Sequence, residues 1–209
     1  YLERIFETMY EPVTVSDKEN AKEMPTIRGE VTFDHVAFSY DETKKILKDV
    51  SFTVKPGESV ALVGPTGAGK STIVNLISRF YNVDSGRVLI DGQDISEVTI
   101  HSLRSQMGIM MQDSFIFSGT IGDNIRYGKL TASEDEIRKA SRIVCADDFI
   151  SRMPEGYDTE VRERGSMLSQ GQKQLISFAR TLLSDPSILI LDEATSSIDV
   201  QTEKALQTG

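Results

Sequence analysis

The sequence predicts an α/β fold: a mainly parallel core sheet covered by helices on both faces, preceded by an antiparallel β meander and interrupted by an inserted helical lobe. Short, continuously apolar runs such as residues 59–63 and 187–191 lie between helical patterns, which is typical of buried parallel strands. Residues 30–40 and 47–54 instead alternate between apolar and polar side chains, which favours antiparallel strands with one solvated face. Residues 131–152 have helical periodicity and fall between two of the core strands.

Composition narrows the possible partners. The chain has 209 residues, 39% of them hydrophobic, enough for one domain with a substantial core. Its 23 Lys and Arg against 32 Asp and Glu give a net charge of −9, so no global positive field attracts nucleic acid. Cys145 is the single cysteine, which excludes an intramolecular disulfide and fits a reducing compartment. No apolar run approaches the roughly 18 residues that span a bilayer.

The first 28 residues differ from the rest of the chain. Residues 2–9 place apolar side chains at helical spacing, and this pattern ends near Pro12. Residues 13–28 are polar, aperiodic and contain a proline, so they are predicted to form a linker. The globular domain is therefore expected to begin near Gly29.

A glycine-rich loop predicts a phosphate-binding site. The stretch GPTGAGKST fits the pattern G-x-x-x-x-G-K-[ST], with an apolar strand expected before it and a helix after it. Glycines let backbone N–H groups surround phosphate oxygens, the helix N-terminus adds its positive dipole end, a lysine neutralises charge and a serine reaches Mg²⁺. The residues expected to bind nucleotide here are Gly64, Pro65, Thr66, Gly67, Ala68, Gly69, Lys70, Ser71 and Thr72, with Ser71 also a metal ligand.

Two acids follow the apolar run that ends in ILILDE. Asp192 is expected to help hold Mg²⁺, and Glu193 is expected to orient and deprotonate an attacking water. An acidic pair after a strand is a weak signal when it stands alone. Together with the glycine-rich loop, it predicts an enzyme that hydrolyses a nucleotide.

A second anion site is suggested by LSQGQKQL, residues 168–175, directly ahead of a helical pattern. A serine beside a helix N-terminus offers a hydroxyl and a dipole to a negative ligand. The glycine-rich loop already provides a better phosphate site about 100 residues earlier, so this second site needs an explanation.

With these three motifs in this order, the sequence closely resembles the nucleotide-binding domain of an ATP-binding cassette (ABC) transporter, a P-loop NTPase of RecA-like fold, from about Gly29 to the last residue. In that family two such domains lie head to tail around two ATP molecules. The resemblance implies that Ser169, Gly171 and Gln172 cap the ATP held by the partner domain. It thereby accounts for the second anion site.

The resemblance also implies roles for three further residues. Tyr40, in FSYD, matches the aromatic residue that stacks on adenine. Gln112, which closes GIMMQ, matches the glutamine that approaches Mg²⁺ and the attacking water. Asp199, in SSID, matches the loop that crosses the dimer interface.

Two segments resemble the exporter branch of the family: QDSFIFSGTIGDNIRYG, and TEVRERG before the signature. The second of these contacts intracellular coupling helices in exporters, so the implied partner is a transmembrane domain. Residues 1–28 then resemble the end of a membrane helix and a linker, and residues 29–209 the ATPase domain, with a helical subdomain over roughly 113–183. The implied location is the cytoplasmic face of the cell membrane.

The sequence departs from the family pattern at three places. Gln170 replaces the usual glycine of the signature, and Arg162 stands where exporters often have glycine. The sequence ends at Gly209 without the histidine that contacts the γ-phosphate, since His35 and His101 lie elsewhere. We therefore expect the 209 residues to bind Mg-ATP but to hydrolyse it far more slowly than a chain that includes that histidine.

Other interpretations keep the same motifs. A cassette ATPase acting on ribosomes or DNA is disfavoured by the net charge and the exporter-like segments. A non-hydrolysing module, in which ATP only holds two subunits together, is disfavoured by Glu193, and a P-loop kinase would have no use for the signature. The sequence permits either a homodimer or a heterodimer, and it contains nothing that selects a transported substrate.

Overall fold

The computed structural model of the protein describes residues 6, 10, 13–41, 44–110, 115–161 and 165–191. Apart from Phe6, the helix predicted for residues 2–9 lies outside these ranges. The chain divides into two units, Tyr1–Ser105 and Gln106–Gly209. Throughout the described ranges, no helix is long and apolar enough to cross a bilayer.

The first unit is built on an antiparallel sheet. Its helices and strands are β1 Val31–Ser39, β2 Lys45–Val54, α1 Lys70–Ile77, β3 Ser85–Ile90, β4 Gln93–Asp94 and α2 Ile100–Arg104. The strands lie in the order β2-β1-β3-β4, and each neighbouring pair is antiparallel. Apolar side chains of β1 such as Phe33, Val36 and Phe38 are buried. The predicted meander is thus confirmed.

A β-bulge, which the sequence pattern does not predict, interrupts the alternation of buried and exposed side chains along β1. The pairing with β2 shifts register between Phe33 and Val36, so both of these side chains remain buried. His35 on β1 and Asp49 on β2 have positive φ angles of 53° and 56°. Their side chains meet on the exposed face, with His35 Nδ1 2.6 Å from Asp49 Oδ1.

Replacing Asp49 with Asn is expected to lower the pKa of His35, because the hydrogen bond with Asp49 and its charge raise that pKa, and Asp34 adds to the effect. The raised folded-state pKa means that the contact stabilises the fold below the unfolded value of about 6.5 and that this contribution is lost as pH rises through the folded pKa. NMR titration of the His35 ring in wild-type, Asp49→Asn and Asp34→Asn proteins checks this. Equal pKa values in all three would contradict it.

Residues 16–28, here called the entry strap, pack along the first unit although the sequence predicts a linker. Met24 and Ile27 are buried, and the Met24 N–H donates to Ser102 Oγ over 2.7 Å. Lys22 forms a β-bridge with Val98. Apolar side chains spaced three residues apart among polar ones are the only sign of this packing in the sequence. The strap is therefore part of the folded unit.

Arg79 joins the entry strap to the end of α1. Its side chain is 2% exposed and donates to the carbonyl oxygens of Val98 and Ser16. Asp17 lies 3.6 Å from the same guanidinium. A buried guanidinium needs such acceptors because an unpaired buried charge is strongly destabilising.

The apolar run at residues 59–63 is predicted to be a strand, but the structure assigns none there. Val60, Leu62 and Val63 are 57%, 39% and 92% exposed. A strand exists only where a neighbouring backbone completes its hydrogen-bond ladder, and this run pairs with no described residue. The mainly parallel core sheet therefore remains a prediction, except for one parallel strand pair in the second unit.

The second unit combines helices with one parallel strand pair. Its helices and strands are β5 Met107–Met110, β6 Gly119–Thr120, α3 Ile121–Arg126, α4 Glu134–Ile143, α5 Asp147–Ser151, β7 Glu160–Val161, α6 Gln170–Leu183 and β8 Ile188–Leu191. Strands β5 and β8 pair in parallel, from Met107 with Ile188 to Met110 with Leu191. The four helices lie between these strands in the chain, and α6 packs against α3, α4 and β5. Their shared core includes Ile121, Ile125, Ile137 and Ile176.

Three of these helices begin at capping boxes. Thr120, Ser133 and Ser169 each accept a hydrogen bond from the backbone N–H three residues later, and the side chain of that later residue accepts from the cap N–H. Each box satisfies two otherwise unpaired donors at the start of a helix. In the sequence, the pattern S-x-x-E marks the start of α4 and the pattern S-x-x-Q marks the start of α6.

Candidate nucleotide-binding site

The glycine-rich loop of the first unit is exposed up to its last glycine. Residues 64–68 are exposed, and the Ala68 N–H donates to the Pro65 carbonyl over 3.1 Å to close a turn. Gly69, the N-cap of α1, is buried with a φ of 92°. This positive φ favours glycine, and a Cβ at position 69 would also lie 2.8 Å from Leu47 Cδ2 on β2.

The N-terminus of α1 has no side-chain cap. This distinguishes it from α3, α4 and α6, whose first N–H groups are bound by Thr120, Ser133 and Ser169. Uncapped N–H donors and the positive end of the helix dipole favour an anion at this place. Ser71, the second residue of α1, is exposed beside them.

Lys70 is folded across the loop. Its ammonium donates to the Gly64 carbonyl over 2.8 Å and to the Pro65 carbonyl over 3.1 Å. The lysine charge is therefore held at the mouth of the loop, where the sequence motif places phosphate oxygens. Both contacts go to neutral carbonyl groups, so an anionic phosphate would be the stronger acceptor for the same ammonium.

The structure brings Tyr40 to the same place. Tyr40 Oη lies 3.2 Å from Thr72 Oγ1, and the side chain is 48% exposed. Its ring packs edge-on against Phe38 and Tyr81, with centroid distances of 4.9 and 5.0 Å. A predicted adenine-stacking ring thus lies beside the predicted phosphate loop, held by two other rings.

Two residues that orient Tyr40 were not anticipated from the sequence. Asn75 Nδ2 donates to Tyr40 Oη over 3.3 Å, and Tyr81 packs against the Tyr40 ring. Asn75 lies three residues after Thr72, and that spacing puts both on one face of α1. This helical spacing is the signal that could have identified Asn75.

In the second unit, Ser169 is the N-cap of the 14-residue helix α6. Its Oγ accepts from the Gln172 N–H over 3.2 Å, and Gln172 Oε1 accepts from the Ser169 N–H over 2.9 Å. Ser169 and Gln170 are exposed, whereas Leu168 is buried and anchors the turn. The Gln172 side chain therefore orients Ser169 within the same chain.

The replacement of glycine by Gln170 is accommodated by local geometry. Gln170 is the first residue of α6, and it is absent from the residues that have positive φ. Its exposed side chain leaves the backbone of Gly171 in place within the helix. A Cβ at position 170 therefore introduces no backbone strain.

The remaining predicted site residues, Gln112, Asp192, Glu193 and Asp199, lie outside the described residues, as does Arg162. The strands predicted before Gln112 and Asp192 are present: β5 ends at Met110 and β8 at Leu191, and these two residues are register partners. In the ranges that the structure describes, no group of three or more His, Cys, Asp or Glu could hold a metal ion.

The second unit also exposes three aromatic side chains, Phe115, Phe117 and Tyr127, here called the aromatic patch. They are 56%, 38% and 54% exposed. Phe117 contacts both of the others, with centroid distances of 4.9 Å to Phe115 and 4.6 Å to Tyr127. Contiguous exposed aromatic groups mark surfaces that bind another protein or a ligand.

Comparisons with known proteins agree on one family. The family model described as ABC transporter matches residues 47–196. An uncharacterised ABC transporter ATP-binding protein of Bacillus subtilis, YknV, is 57% identical over 205 residues, which cover 98% of this chain and 34% of that protein. Human ATP-binding cassette sub-family B member 6 is 49% identical over 208 residues, or 100% of this chain and 25% of that protein.

A solved structure of a bacterial Atm1-family ABC exporter with ATP bound is similar in fold and sequence. The TM-score is 0.92 at 48% identity, over 99% of this chain and 36% of that one. The chain therefore spans about a third or less of the longer proteins that it matches.

Proposed function

The chain belongs to the ABC transporter family, and from this premise we propose that it is the ATP-hydrolysing motor domain of a membrane exporter. The observation that carries the proposal is the contact between Tyr40 and α1, the helix that follows the glycine-rich loop: Tyr40 Oη lies 3.2 Å from Thr72 Oγ1. An aromatic ring and an uncapped helix N-terminus with a lysine beside it match the two ends of a nucleotide. The reaction proposed is Mg-dependent hydrolysis of ATP.

The P-loop would bind the phosphates through several groups of residues 64–72. Lys70 would exchange its two carbonyl acceptors for phosphate oxygens, and the free N–H groups of α1 would donate to the same anion. Tyr40 would stack on the adenine ring, steadied by Asn75 and Tyr81.

Mg²⁺ bound with ATP would neutralise phosphate charge during the reaction. Ser71, Gln112 and Asp192 offer hydroxyl, amide and carboxylate oxygens, which are the ligands that Mg²⁺ prefers. Glu193 would accept a proton from the attacking water. The register pairing of Met110 with Leu191 supports a common edge for Gln112 and the two acids, because parallel strands end at the same side of a sheet.

A second nucleotide-binding domain would complete the site. Ser169 is exposed at the start of α6, and its hydroxyl, which accepts from the Gln172 N–H, still has its own O–H to donate to an acceptor on another chain. Asp199 would lie at the same interface. Homodimer and heterodimer both satisfy this arrangement, since the chain carries both a P-loop and a signature.

The aromatic patch would bind the coupling helices of a transmembrane domain. Phe115, Phe117 and Tyr127 fall within the exporter-like segment QDSFIFSGTIGDNIRYG, and they offer contiguous apolar area to a partner. Glu160 and Val161 of TEVRERG form strand β7, which pairs with β6 directly before α3. Such contacts would hold the domain at the cytoplasmic face of the membrane.

The proposed domain organisation follows the resemblance. Residues 1–28 would connect a membrane helix to the ATPase domain of residues 29–209, with the entry strap fixed on the first unit. Helices α3 to α6 would form the helical subdomain of roughly residues 113–183 within a mainly parallel core. The presence of these helices between strands β5 and β8 supports this proposal.

Replacing Lys70 with Met tests the proposed site. We expect ATP affinity to fall by about 10- to 150-fold, the loss for removing a hydrogen bond to a charged group. Titration of the purified full-length protein with a fluorescent ATP analogue measures this. Lys55→Ala, at an exposed lysine of the same unit, is the control and should bind normally. Equal affinity in the Lys70 variant would place the nucleotide elsewhere.

A further inference from the structure

Arg180 lies in the last turn of α6, where its partly exposed side chain contacts the aromatic patch. Its Nε donates to the Asn124 carbonyl over 2.7 Å and one terminal nitrogen to Asn124 Oδ1 over 3.0 Å. The other terminal nitrogen donates to the Phe115 carbonyl over 3.0 Å. The guanidinium also lies over the Phe117 ring, 5.3 Å from its centroid. One side chain thus contacts two members of the patch and the helix beside it.

Asn124 continues this network. It is fully buried on α3, donates to the carbonyl oxygens of Phe117 and Thr120 over 3.0 Å each, and accepts from the Phe117 N–H over 2.9 Å. The backbone of the segment that carries Phe115 and Phe117 is therefore held by Arg180 and Asn124 together. Every acceptor of the Arg180 guanidinium named above belongs to this segment or to α3.

The Tyr127 side of the patch also abuts α6. A Cβ at Gly128 would lie 2.0 Å from the Arg180 carbonyl oxygen, so the backbone after Tyr127 touches the backbone of α6. Both ends of the aromatic patch are thereby fixed to the same residue of the same helix. Close backbone packing at Gly128 holds the Tyr127 end, and a hydrogen bond from Arg180 holds the Phe115 end.

Helix α6 links this network to the signature. Ser169 caps its start and Arg180 lies eleven residues later, about 16 Å along the axis at 1.5 Å per residue. Because densely packed interiors transmit strain, a displacement at the start of α6 is expected to reach Arg180. Burial lowers the pKa of Arg180, with Tyr127 opposing the effect, yet arginine stays charged. If this partly buried guanidinium gave up its acceptors, it would lose three hydrogen bonds.

We propose that Arg180 is a positioning residue that makes the aromatic patch follow α6, so that engagement of Ser169 with a partner-bound nucleotide is transmitted to the surface that binds the membrane domain. The inference rests on the proposed function. The transmission depends on the planar, fork-shaped guanidinium of Arg180, which donates to two acceptors on Asn124 and to one on Phe115. Lysine cannot reproduce that fork, because its ammonium is a point donor without the planar geometry.

Arg180→Lys in the full-length protein, reconstituted in lipid nanodiscs, tests the proposal. Two distance changes on ATP addition are measured with spin-label pairs: closure of the two ATP-binding domains, and movement of the membrane helices. We expect closure to occur at ATP concentrations within about twofold of wild type, while coupling of closure to membrane movement falls about fivefold or more. Arg138→Lys is the matched control, since the Arg138 guanidinium also lies over an aromatic ring of the same unit, that of Tyr157, which is outside the aromatic patch.

The outcomes separate the alternatives. Unchanged coupling in the Arg180 variant would overturn the proposal, and so would loss of closure by the same factor as membrane movement, since that indicates a merely structural role. If wild-type protein does not close with ATP, the proposed function itself fails, and the proposal fails with it.

A second measurement needs no substitution. Hydrogen exchange of the wild-type full-length protein is followed with and without trapped ATP, at the amides of residues 115–128. The Phe117 N–H, which donates to Asn124, is expected to exchange more slowly in the trapped state. A change at the start of α6 without any change over residues 115–128 would overturn the transmission.

Discussion

Ser169→Arg is expected to abolish the ATP-dependent dimer while ATP affinity of the P-loop stays within about twofold of wild type. Ser169 lies in the second unit and caps only α6, so its replacement removes nothing from residues 64–72. The larger side chain keeps a partner nucleotide from approaching the α6 N–H groups to hydrogen-bond distance, which is about 2.7–3.2 Å. Loss of the cap costs about 1 kcal/mol of stability in addition.

Size-exclusion chromatography with light scattering, at saturating ATP, measures the dimer. Ser133→Arg is the matched control because Ser133 also forms a capping box, on α4, and its loss should cost similar stability. The control is expected to dimerise normally. If the Ser169 variant lost ATP affinity along with dimerisation, the signature would serve its own chain's nucleotide and the two-chain site would be wrong.

Glu193→Gln is expected to lower the rate of ATP hydrolysis by about 10² to 10⁴, the usual contribution of a general base. Glutamine keeps the shape of the side chain but cannot accept the proton of the attacking water. ATP binding and closure do not need this proton transfer, so the ATP-bound dimer should persist much longer than in wild type.

Steady-state hydrolysis and the lifetime of the dimer after ATP dilution measure these two effects in the full-length protein. Glu155→Gln, at an exposed acid of the second unit, is the control and should leave both unchanged. Equal turnover and equal dimer lifetime in the Glu193 variant would favour the alternative in which ATP only holds two subunits together.

The meander and the helix starts were predictable because their signals are local. Alternation of apolar and polar side chains specifies β1 and β2, and the spacing of Ser133 with Glu136 and of Ser169 with Gln172 specifies where two helices begin. The bulge at His35 was not predictable, since it arises from the register between strands rather than from either strand alone.

The motifs of the candidate site were predictable from the sequence, but the contacts that orient Tyr40 were not. The P-loop pattern identifies Lys70 and Ser71 from spacing, and the resemblance adds Tyr40. The spacing of Asn75 from Thr72 puts both residues on one face of α1, but the contacts of Asn75 and Tyr81 with Tyr40 join segments distant in the chain, which no local pattern encodes. The strand expected at residues 59–63 illustrates the opposite case, because its apolar character is local whereas a strand also requires a paired neighbour.

The arrangement around Arg79 bears on where a fragment of this protein can be cut. A chain started at Gly29, where composition changes from linker to domain, would remove the Ser16 carbonyl and the Asp17 carboxylate from a guanidinium that is 2% exposed. Losing a hydrogen bond to a charged group costs about 1.5–3 kcal/mol, a large share of the 5–15 kcal/mol that stabilises a typical domain. A fragment that keeps these Arg79 contacts therefore starts upstream of Ser16, inside the stretch that composition alone would assign to a linker.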